Sequence, residues 1–569
     1  MAVIRFAPSD TVRLDEVPAS SSADSGASLG VGWALLRQQR MIVVVVFAVA
    51  LVARVWASGR SVFHGDEAVE GIAAMDLFQH GRLGWFFPGQ DYGGVLETIL
   101  QAPLQYLAPG NVIMLRLPIQ VLNSVTCALF ALLILVLLRP RRLALFGGLL
   151  AAVFPSLFVL LGANFSAGYA VGPCAAVIGL LLFVRFLDDS RVRTGVAAAC
   201  AFLLAGYSQP VVLMLILPGL LMIVTLRSPS FFRAEVGAAI QRDFASMMTP
   251  RLVLLLLPVA GVVVVQRLVS SADVAAGRAL DPSVGSFDLL AGSFNRLMSV
   301  RAALGLGTGV ENPGDMRLAN INQPATWLLF DINRLGTGFA IAAAAVVWLV
   351  VLLVAVGYVG TLFVGEPSER GARLGSAALG LALLGVLLAA YAVVMPSMGR
   401  YVYPACLVGV FALVLVVSTV PRRVELPMMA VTLVLATVLT VVDFGRLPMQ
   451  TQSFDADPRV LAATAGKPLV GEYADAYDQQ FLSQNKLLGI PLQANRFPES
   501  LASLAAGGRT EVVLMMPAAT NPVRQVADRA MKECRVGPVS VVGSRVLYPL
   551  DCPNWFLRLS SSPAFRLAQ

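Results

Sequence analysis

Long apolar runs alternate with short polar connections between residues 38 and 445. Most of these runs approach the roughly 20 residues that a helix needs to cross the hydrocarbon of a bilayer. The pattern predicts an α-helical polytopic membrane protein with about 11 spans, at 38–57, 112–138, 143–163, 168–187, 194–208, 210–227, 252–270, 338–364, 374–395, 402–420 and 426–445. The pair 194–208 and 210–227 is separated by Gln209 and Pro210, which could form either a tight turn or a kink.

The two ends of the chain have other patterns. Residues 1–32 are polar and rich in Ser, Ala and Asp, which predicts a disordered cytoplasmic tail. Residues 446–569 alternate strand-like and helix-like stretches, which predicts a small extracytoplasmic α/β domain. Its strand-like runs are 468–473, 511–516 and 539–548, and its helix-like runs are 476–485 and 522–532. The membrane domain between the two ends, 33–445, carries a long outer loop at 58–111.

Arginine positions predict the orientation of the spans. Arginines recur in alternate connections, at positions 37, 40, 139, 141, 142, 185, 191, 193, 227, 233, 242, 251, 370, 373, 422 and 423. The connections 164–167 and 207–210, on the opposite side, contain no Arg or Lys. Because cytoplasmic connections are enriched in Arg and Lys, the N-terminus is predicted inside. The segments 58–111, 271–337, 396–401 and the tail from 446 are then outside.

Composition excludes several classes of protein. Of the 569 residues, 57% are hydrophobic and 13% are charged, against about 25% charged in soluble domains. A soluble enzyme, a disordered chain and a fibrous protein are therefore excluded. The net charge of +8 follows from the arginine-rich connections and does not predict nucleic-acid binding.

Cysteine and histidine are scarce in this chain. Two histidines, His64 and His80, argue against a histidine-based metal site. Four of the six cysteines, at positions 127, 174, 200 and 406, lie in spans as packing residues. The other two, Cys534 and Cys552, lie in the tail and could pair in an oxidising compartment.

Acidic residues cluster just beyond the first span, in the segment Phe63–Gly71, which contains Asp66, Glu67 and Glu70. Carboxylates so close to the end of an apolar helix are costly unless they face water or take part in chemistry. Asp66 also precedes a predicted helix at 67–79, so it could act as an N-cap. The two roles are compatible, because a capping carboxylate is held rigidly.

A second polar segment, Gly89–Glu97, leads into a predicted amphipathic helix that ends near Leu107. Its apolar positions, 96, 99, 100, 104 and 107, fall on one face, and Glu97, Gln101 and Gln105 fall on another. Such a helix would lie along the outer membrane surface with Glu97 toward the aqueous side. Glu97 could equally be a solvated interfacial residue.

The order of these motifs resembles the bacterial GT-C glycosyltransferases. That superfamily includes the dolichyl-phosphate-mannose protein mannosyltransferases and the aminoarabinose transferases of lipid A. The motifs are Gly65-Asp66-Glu67-Ala68, Pro88-Gly89-Gln90-Asp91-Tyr92-Gly93-Gly94-Val95-Leu96-Glu97, Leu115-Arg116-Leu117-Pro118, Arg400-Tyr401-Val402-Tyr403-Pro404 and Gly471-Glu472-Tyr473-Ala474-Asp475-Ala476-Tyr477. The resemblance covers residues 60–225 well and 396–500 in patches, whereas 230–395 match in hydropathy alone.

The resemblance implies an enzyme of the bacterial inner membrane. It would transfer a sugar from a polyprenyl-phosphate carrier to a lipid, glycan or protein acceptor on the outer face. Asp66 would be the general base that activates the acceptor hydroxyl, with inversion at the anomeric carbon. Glu67 or Glu97 would orient the acceptor or hold a cation. No cofactor is required, although Asp66, Glu67, Asp91 and Glu97 could supply oxygen ligands to a divalent cation.

The leaving phosphate requires a positive partner. Arg400, beside Tyr401, is the first candidate for donor-phosphate binding, and Arg116 is the second. Arg400 could instead be an interfacial arginine that reaches the headgroups. The candidates for binding sugar or acceptor hydroxyls are Gln90, Tyr92, Asn164 and Gln209, which could also satisfy helix ends.

Two rival classes remain. A transporter or flippase of a lipid-linked sugar would have charged or broken helices at mid-membrane. A non-catalytic envelope scaffold would use these acids as helix caps alone. The grouping of the acids in an outer loop favours an enzyme, which predicts that Asp66, Glu97 and Arg400 share one outward-facing cavity.

Overall fold

The chain is described by a computed structural model over part of its length. The described residues are 25–61, 63, 65–88, 93–164, 168–189, 191–227, 337–364, 368–394, 403–445, 457–471, 473–491, 497, 511–517, 534–542 and 545–551. Within these ranges the fold is mostly helical, with one small β-sheet near the C-terminus.

Helices occupy nearly all of the described part of residues 25–445. They are α1 (Ser25–Ser58), α2 (Gly65–His80), α3 (Leu96–Leu107), α4 (Val112–Leu138), α5 (Arg141–Val153), α6 (Ser156–Asn164), α7 (Val171–Asp189), α8 (Val192–Ser208), α9 (Leu213–Arg227), α10 (Thr337–Val364), α11 (Glu369–Val394), α12 (Ala405–Val417) and α13 (Arg422–Gly445). A 3₁₀ turn, Pro210–Val212, joins α8 to α9. The helix α1 begins at Ser25, so residues 25–32, expected to be disordered, are helical. The boundary of the cytoplasmic tail at residue 32 stays a prediction.

Within the described residues, six helices are long and apolar enough to cross a membrane, or seven if α5 and α6 together form one bent span. The six lie at Gln39–Ser58, Val112–Leu138, Val171–Asp188, Pro210–Arg227, Glu369–Leu388 and Arg422–Val442. Three other apolar helices, Val192–Ser208, Val346–Thr361 and Ala405–Val417, are shorter. The predicted span 252–270 lies outside the described residues. The chain is a multi-pass membrane protein, and the predicted count of about eleven is not confirmed.

The predicted span 143–163 is broken. The helices α5 and α6 meet at an angle of 65° around Pro155, which cannot donate a backbone hydrogen bond. Three side chains contact three consecutive carbonyls at the end of α5: Cys127 Sγ to Ala151 (3.4 Å), Arg54 Nη1 to Ala152 (3.2 Å) and Thr440 Oγ1 to Val153 (2.7 Å). Carbonyls freed inside a membrane protein need such internal partners, so these donors stabilise the break.

Helices α4 and α5 are in close contact at two glycines of α5, Gly147 and Gly148. A Cβ atom on Gly147 would lie 2.3 Å from Ile134 Cδ1, and one on Gly148 would lie 2.6 Å from Ala131 Cβ. The backbones of α4 and α5 therefore approach one another across small residues, as is common between membrane helices.

The helix connections collect on two sides of the bundle. On the first, which we call the loop side, the connections near residues 58–111, 168–171, 207–210 and 403 meet. The contacts are Gly94 N to the carbonyl of Ser208 (2.9 Å), the Tyr207 hydroxyl to the carbonyl of Trp85, and the rings of Tyr169 and Tyr403 (4.9 Å between centroids). The connections 58–111, 164–167, 207–210 and 396–401 were predicted to share the outer side, and the structure brings together the described residues within or beside them.

The opposite side, which we call the arginine side, carries the basic connections. Arg142 pairs with Glu425 through two bonds of 2.6 and 3.0 Å, and Arg227 donates to the carbonyl of Val136 at 2.7 Å. These bonds join the ends of helices that are distant in sequence. The arginines at the described helix ends therefore lie on one side, those at positions 233, 242 and 251 lie outside the described residues, and the side that faces the cytoplasm stays a prediction.

The described residues of the C-terminal part form α14 (Pro458–Thr464), α15 (Tyr473–Leu482) and six strands. The strands are β1 (Leu469–Gly471), β2 (Gly489–Pro491), β3 (Glu511–Pro517), β4 (Arg535–Val536), β5 (Ser540–Val542) and β6 (Arg545–Asp551). The sheet has the order β2-β1-β3-β6-β4, with β5 also paired to β6. Strands β2, β1 and β3 are parallel, and β6 is antiparallel to β3, β4 and β5.

These elements correspond in part to the sequence pattern. The run predicted at 539–548 is two strands, and the short β2 has no counterpart among the predicted strands. Residues 522–532 lie outside the described residues. Cys534 is disulfide-bonded. Its predicted partner, Cys552, lies outside the described residues. That residues 446–569 form an extracytoplasmic domain of their own stays a prediction.

Candidate functional site

The first two turns of α2 present three acids, Asp66, Glu67 and Glu70, on the loop side of the bundle. It begins at Gly65, so Asp66 and Glu67 lie in its first turn, and Asp66 is not the residue before the helix as predicted. Acidic side chains there are stabilised by the unpaired N–H groups and the helix dipole. Asp66 is partly exposed, whereas Glu67 and Glu70 are each 1% exposed. Of these three carboxylates, that of Asp66 is therefore the one that solvent reaches.

Glu67 is paired with Arg116 of α4. The guanidinium donates from Nε to Oε2 at 2.7 Å and from Nη2 to Oε1 at 3.0 Å. Its third nitrogen, Nη1, donates to the carbonyl of Ser58 at 3.0 Å and lies 3.3 Å from the Ser58 hydroxyl. We call these three residues the Glu67–Arg116–Ser58 clamp. It joins the ends of α1, α2 and α4 through a buried bidentate pair, which is among the stronger hydrogen-bonding arrangements in proteins.

Glu97 is buried on the inner face of α3. Its carboxylate accepts three backbone N–H bonds, from Gly168 (3.0 Å), Ala170 (2.5 Å) and Val171 (2.9 Å). Burial raises the pKa of Glu97 from 4.5 to about 7, although these three bonds oppose the rise. Glu97 is 1% exposed, so the expectation that it faces the aqueous side is wrong. The carboxylate instead fastens the segment before α7 to α3.

The remaining polar positions of α3 also face inward. Gln101 donates to the carbonyl of Leu115 at 3.1 Å. Gln105 donates to the carbonyl of Asn111 at 3.0 Å and accepts from Gly110 N at 3.1 Å. Thr98 donates to Glu70 of α2 at 3.3 Å. The predicted polar face of this helix is therefore its protein-facing side.

The other predicted site residues fall into two groups. Asn164 and Gln209 are 2% and 1% exposed on the loop side, and Asn164 Oδ1 has no hydrogen-bond partner in the described part of the chain. Gln90, Asp91, Tyr92, Arg400 and Tyr401 lie outside the described residues. The predicted convergence of Asp66, Glu97 and Arg400 on one cavity therefore stays a prediction.

The C-terminal part contacts α2 directly. Tyr477 and Phe481 of α15 are buried in one apolar cluster with Phe63, Val69 and Leu115. A Cβ atom on Gly71 would lie 2.3 Å from the Phe481 ring, so glycine permits the close contact. The helix that carries Asp66 is thus packed against both α3 and α15.

Sequence reasoning missed two charged residues near these groups. Arg54 is fully buried in α1. The sequence could have indicated it, because an isolated charge within a membrane span usually has a specific role. Asp478 of α15 has one carboxylate oxygen shielded from solvent. Burial raises the pKa of Asp478 well above its usual range, the charges of Asp475 and Glu67 add to the rise, and Arg116 opposes it. In the sequence, Asp478 is one acid in a helical segment far from α2. Nothing in that pattern indicated that it lies near Glu67 and Arg116.

A metal site is not assembled by the described part of the chain. No group of three or more His, Cys, Asp or Glu side chains is placed there to hold an ion. The oxygens of Glu67 already accept bonds from Arg116, and those of Glu97 accept bonds from backbone N–H groups. Both carboxylates act here as hydrogen-bond acceptors, and the binding of a divalent cation stays a prediction.

No protein-family profile and no curated protein matches the chain. Solved structures similar to it include ArnT from Cupriavidus metallidurans bound to undecaprenyl phosphate (14% identity, TM-score 0.49, covering 89% of this chain and 97% of ArnT). Another is the archaeal oligosaccharyltransferase AglB from Archaeoglobus fulgidus with an inhibitory peptide and a dolichol-phosphate (11% identity, TM-score 0.43, covering 84% of this chain and 69% of AglB). These structural neighbours are GT-C superfamily members, the group that the sequence resembles. At such identities and TM-scores, they assign no activity to this chain.

Proposed function

We propose that this protein is a membrane glycosyltransferase that moves a sugar from a polyprenyl-phosphate carrier to a cell-envelope acceptor. The reaction would take place on the loop side, which we propose to be the outer face of a bacterial inner membrane. Undecaprenyl phosphate and a dolichol-phosphate are bound in the ArnT and AglB structures, and a lipid of that class is part of the proposal. The acceptor would be a lipid, a glycan or a protein.

One observation carries the proposal: a partly exposed carboxylate, Asp66, sits on a helix turn that its neighbours hold rigidly. Glu67 is held by Arg116 and Ser58, and Glu70 contacts Thr98. The next turn of α2 packs against Phe481. A general base must be held in position and must reach water or substrate. Asp66 meets both conditions at the boundary between the bundle and the loop side.

In the proposed reaction, Asp66 accepts the proton of the acceptor hydroxyl. The acceptor oxygen forms a bond to the anomeric carbon while the bond from that carbon to the phosphate oxygen breaks. The sugar inverts its configuration, and the polyprenyl phosphate leaves with the bonding electrons. Arg400 and Tyr401 remain the proposed partners of that phosphate.

The roles of Arg116 and Glu67 change in this proposal. Because Arg116 makes its bonds to Glu67 and Ser58, we assign it to holding α2 and not to binding the donor phosphate. Glu67 becomes a positioning residue for Asp66, the residue beside it. Glu97 likewise holds the segment 168–171 in position through its bonds to backbone N–H groups.

Purified protein incubated with a panel of polyprenyl-phosphate sugars tests this function. Release of the free polyprenyl phosphate, dependent on an added envelope extract as acceptor, is the expected result. The Asp66→Asn variant should release none above background. The matched control is Asp76→Asn, on the same helix and also partly exposed, which should keep its activity. Equal release by both variants would contradict the assignment of Asp66.

A transporter is the second candidate, because the structure contains two of the features expected of one. The span formed by α5 and α6 is broken, and Arg54 is buried within α1. However, the carbonyls of the break are satisfied by protein side chains, which favours a structural reason for it. Movement of a lipid-linked sugar across proteoliposomes, with no carrier release and no effect of Asp66→Asn, would favour the transporter.

A further inference from the structure

The helix α15, from the C-terminal part of the chain, packs closely against the helix that carries Asp66. Its Phe481 ring lies over Gly71 of α2, where a Cβ atom would come within 2.3 Å of the ring. The carbonyl of Phe481 lies against Gly110, in the connection between α3 and α4, where a Cβ atom would come within 2.9 Å. Gly110 has a φ of +73°, which glycine adopts without strain. Both contacts depend on glycine, so α15 is fitted closely to the elements around Asp66.

A series of side-chain contacts leads from α15 to the Glu67–Arg116–Ser58 clamp. The rings of Phe481 and Phe63 lie 5.3 Å apart between centroids. The guanidinium carbon of Arg116 lies 6.0 Å from the centroid of the Phe63 ring, within the range of a cation–π interaction. The guanidinium is therefore linked to α15 through Phe63, as well as to α2 through Glu67.

Asp478 of α15 brings a second carboxyl group to the clamp. Its Oδ1 atom is buried and has no hydrogen-bond partner in the described part of the chain. The charges that act on it come from Glu67 of α2, Arg116 of α4 and Asp475 of its own helix. Asp475 is itself paired with Arg545 of β6, with 2.8 Å between Oδ1 and Nη2. Strands β1 and β2, which also contact α15, carry no charged residue.

One buried guanidinium does not balance two ionised carboxylates, because like charges repel strongly in a buried site. Burial raises the pKa of Asp478 well above its usual range; the charges of Asp475 and Glu67 raise it further, and that of Arg116 lowers it. At a pH below that raised pKa, Asp478 is the neutral acid, and Glu67 keeps both oxygens on Arg116. An ionised Asp478 would attract the guanidinium and repel Glu67, which would loosen the first turn of α2.

We propose that Asp478 is a positioning residue for Asp66: in its neutral form it leaves Glu67 bound to Arg116 and so keeps the first turn of α2 in place. The inference rests on the proposed transferase function, because this turn presents Asp66. Asp478 acts here through Glu67 and Arg116 and not by contact with the substrate. Transfer then requires a proton on Asp478, so kcat should fall as the pH rises through its raised pKa.

The pH dependence of carrier release tests this role in the full-length protein, with saturating polyprenyl-phosphate sugar from the panel and saturating envelope extract. Above its pKa, the neutral fraction of a carboxyl group falls about tenfold per pH unit, and the kcat of the wild type should fall with it. Asp478→Asn keeps the size of the side chain and cannot ionise. At alkaline pH its kcat should therefore exceed that of the wild type by about tenfold, with KM unchanged.

Two further variants complete the comparison. Asp478→Ser, which is also neutral, takes the place of Asp478→Asn if that variant fails to fold. The matched control is Glu511→Gln, which changes an acid of the same C-terminal part whose side chain is 59% exposed and paired with Lys467. Its pH profile should follow that of the wild type. Because Glu97 is present in all of these proteins, its own titration cancels in the comparison.

Hydrogen exchange of residues 65–71, followed by mass spectrometry, gives a second readout that needs no activity. At alkaline pH these amides should exchange about tenfold faster in the wild type than in Asp478→Asn, because local opening of the turn controls their exchange. Superimposable pH profiles of kcat in two active proteins would overturn the inference and leave the transferase function standing. If the wild type releases no carrier, the transferase function fails, and the exchange rates decide whether Asp478 acts on the clamp. Equal exchange at every pH would show that it does not.

Discussion

Replacing Glu67 by Gln removes the charge that balances Arg116 and keeps the size of the side chain. Both partners are almost fully buried, with side-chain exposures of 2% and 1%. Removing one partner of a buried ion pair typically lowers the free energy of unfolding by about 3–5 kcal/mol. The bonds from Arg116 to Ser58 go to neutral oxygens and do not replace the charge of Glu67. We therefore expect Glu67→Gln to be strongly destabilising.

A double-mutant cycle isolates the interaction. The double variant Glu67→Gln/Arg116→Gln carries neither charge and should be more stable than the sum of the two single losses implies. For contacting residues the difference is about 0.5–3 kcal/mol. Unfolding by sodium dodecyl sulfate in mixed micelles, followed by circular dichroism, measures the four free energies. Expression and monodispersity of each variant serve as the check on folding.

The matched control is Glu369→Gln on the arginine side. Glu369 pairs with Arg373 one helical turn away, but its side chain is 80% exposed. Solvent-exposed pairs of this kind typically contribute about 0–1 kcal/mol. If Glu67→Gln were no more destabilising than Glu369→Gln, or if the two single losses simply added in the double variant, the clamp would not hold α2 as the structure indicates.

Three further predictions concern other groups of the protein. Asp66→Asn should lower the rate of carrier release by about 10²–10⁴, the usual loss for a general base, without shifting the unfolding transition; a wild-type rate would remove Asp66 from the reaction. Because the pKa of Glu97 is raised from 4.5 to about 7, the folded protein should lose stability as the pH rises through that window. A Glu97→Gln variant should be less stable but show a flatter dependence on pH, and a parallel dependence in the two proteins would count against the buried carboxylate. Arg54→Met should expose the buried thiol of Cys127, which lies 3.3 Å from Nη2, and so speed its labelling by maleimide relative to the wild type; unchanged labelling would show that Arg54 does not close the break between α5 and α6.

The sequence by itself determined those features that depend on neighbouring residues. Apolar runs of sufficient length located helices at ten of the eleven predicted spans, and the eleventh lies outside the described residues. The three-to-four-residue period of α3 located its ends at Leu96 and Leu107 and separated its two faces. The alternation of arginine-rich and arginine-free connections grouped the described helix ends into two sides, and the orientation of those sides in the membrane stays a prediction. Each of these signals arises from local periodicity or composition, which the sequence contains in full.

Only the tertiary structure decided the partners of the charged groups. Glu67 and Arg116 are 49 positions apart, and Glu97 binds N–H groups more than 70 positions away. A carboxylate in a sequence has the same chemistry whether it faces water, a cation or a backbone amide, so the sequence alone did not indicate that Glu97 is buried against backbone N–H groups. The break in the span at Pro155 was also decided at this level, because it requires donors from α1, α4 and α13 at once. Burial and hydrogen bonding depend on which distant segments meet, and no local pattern records that.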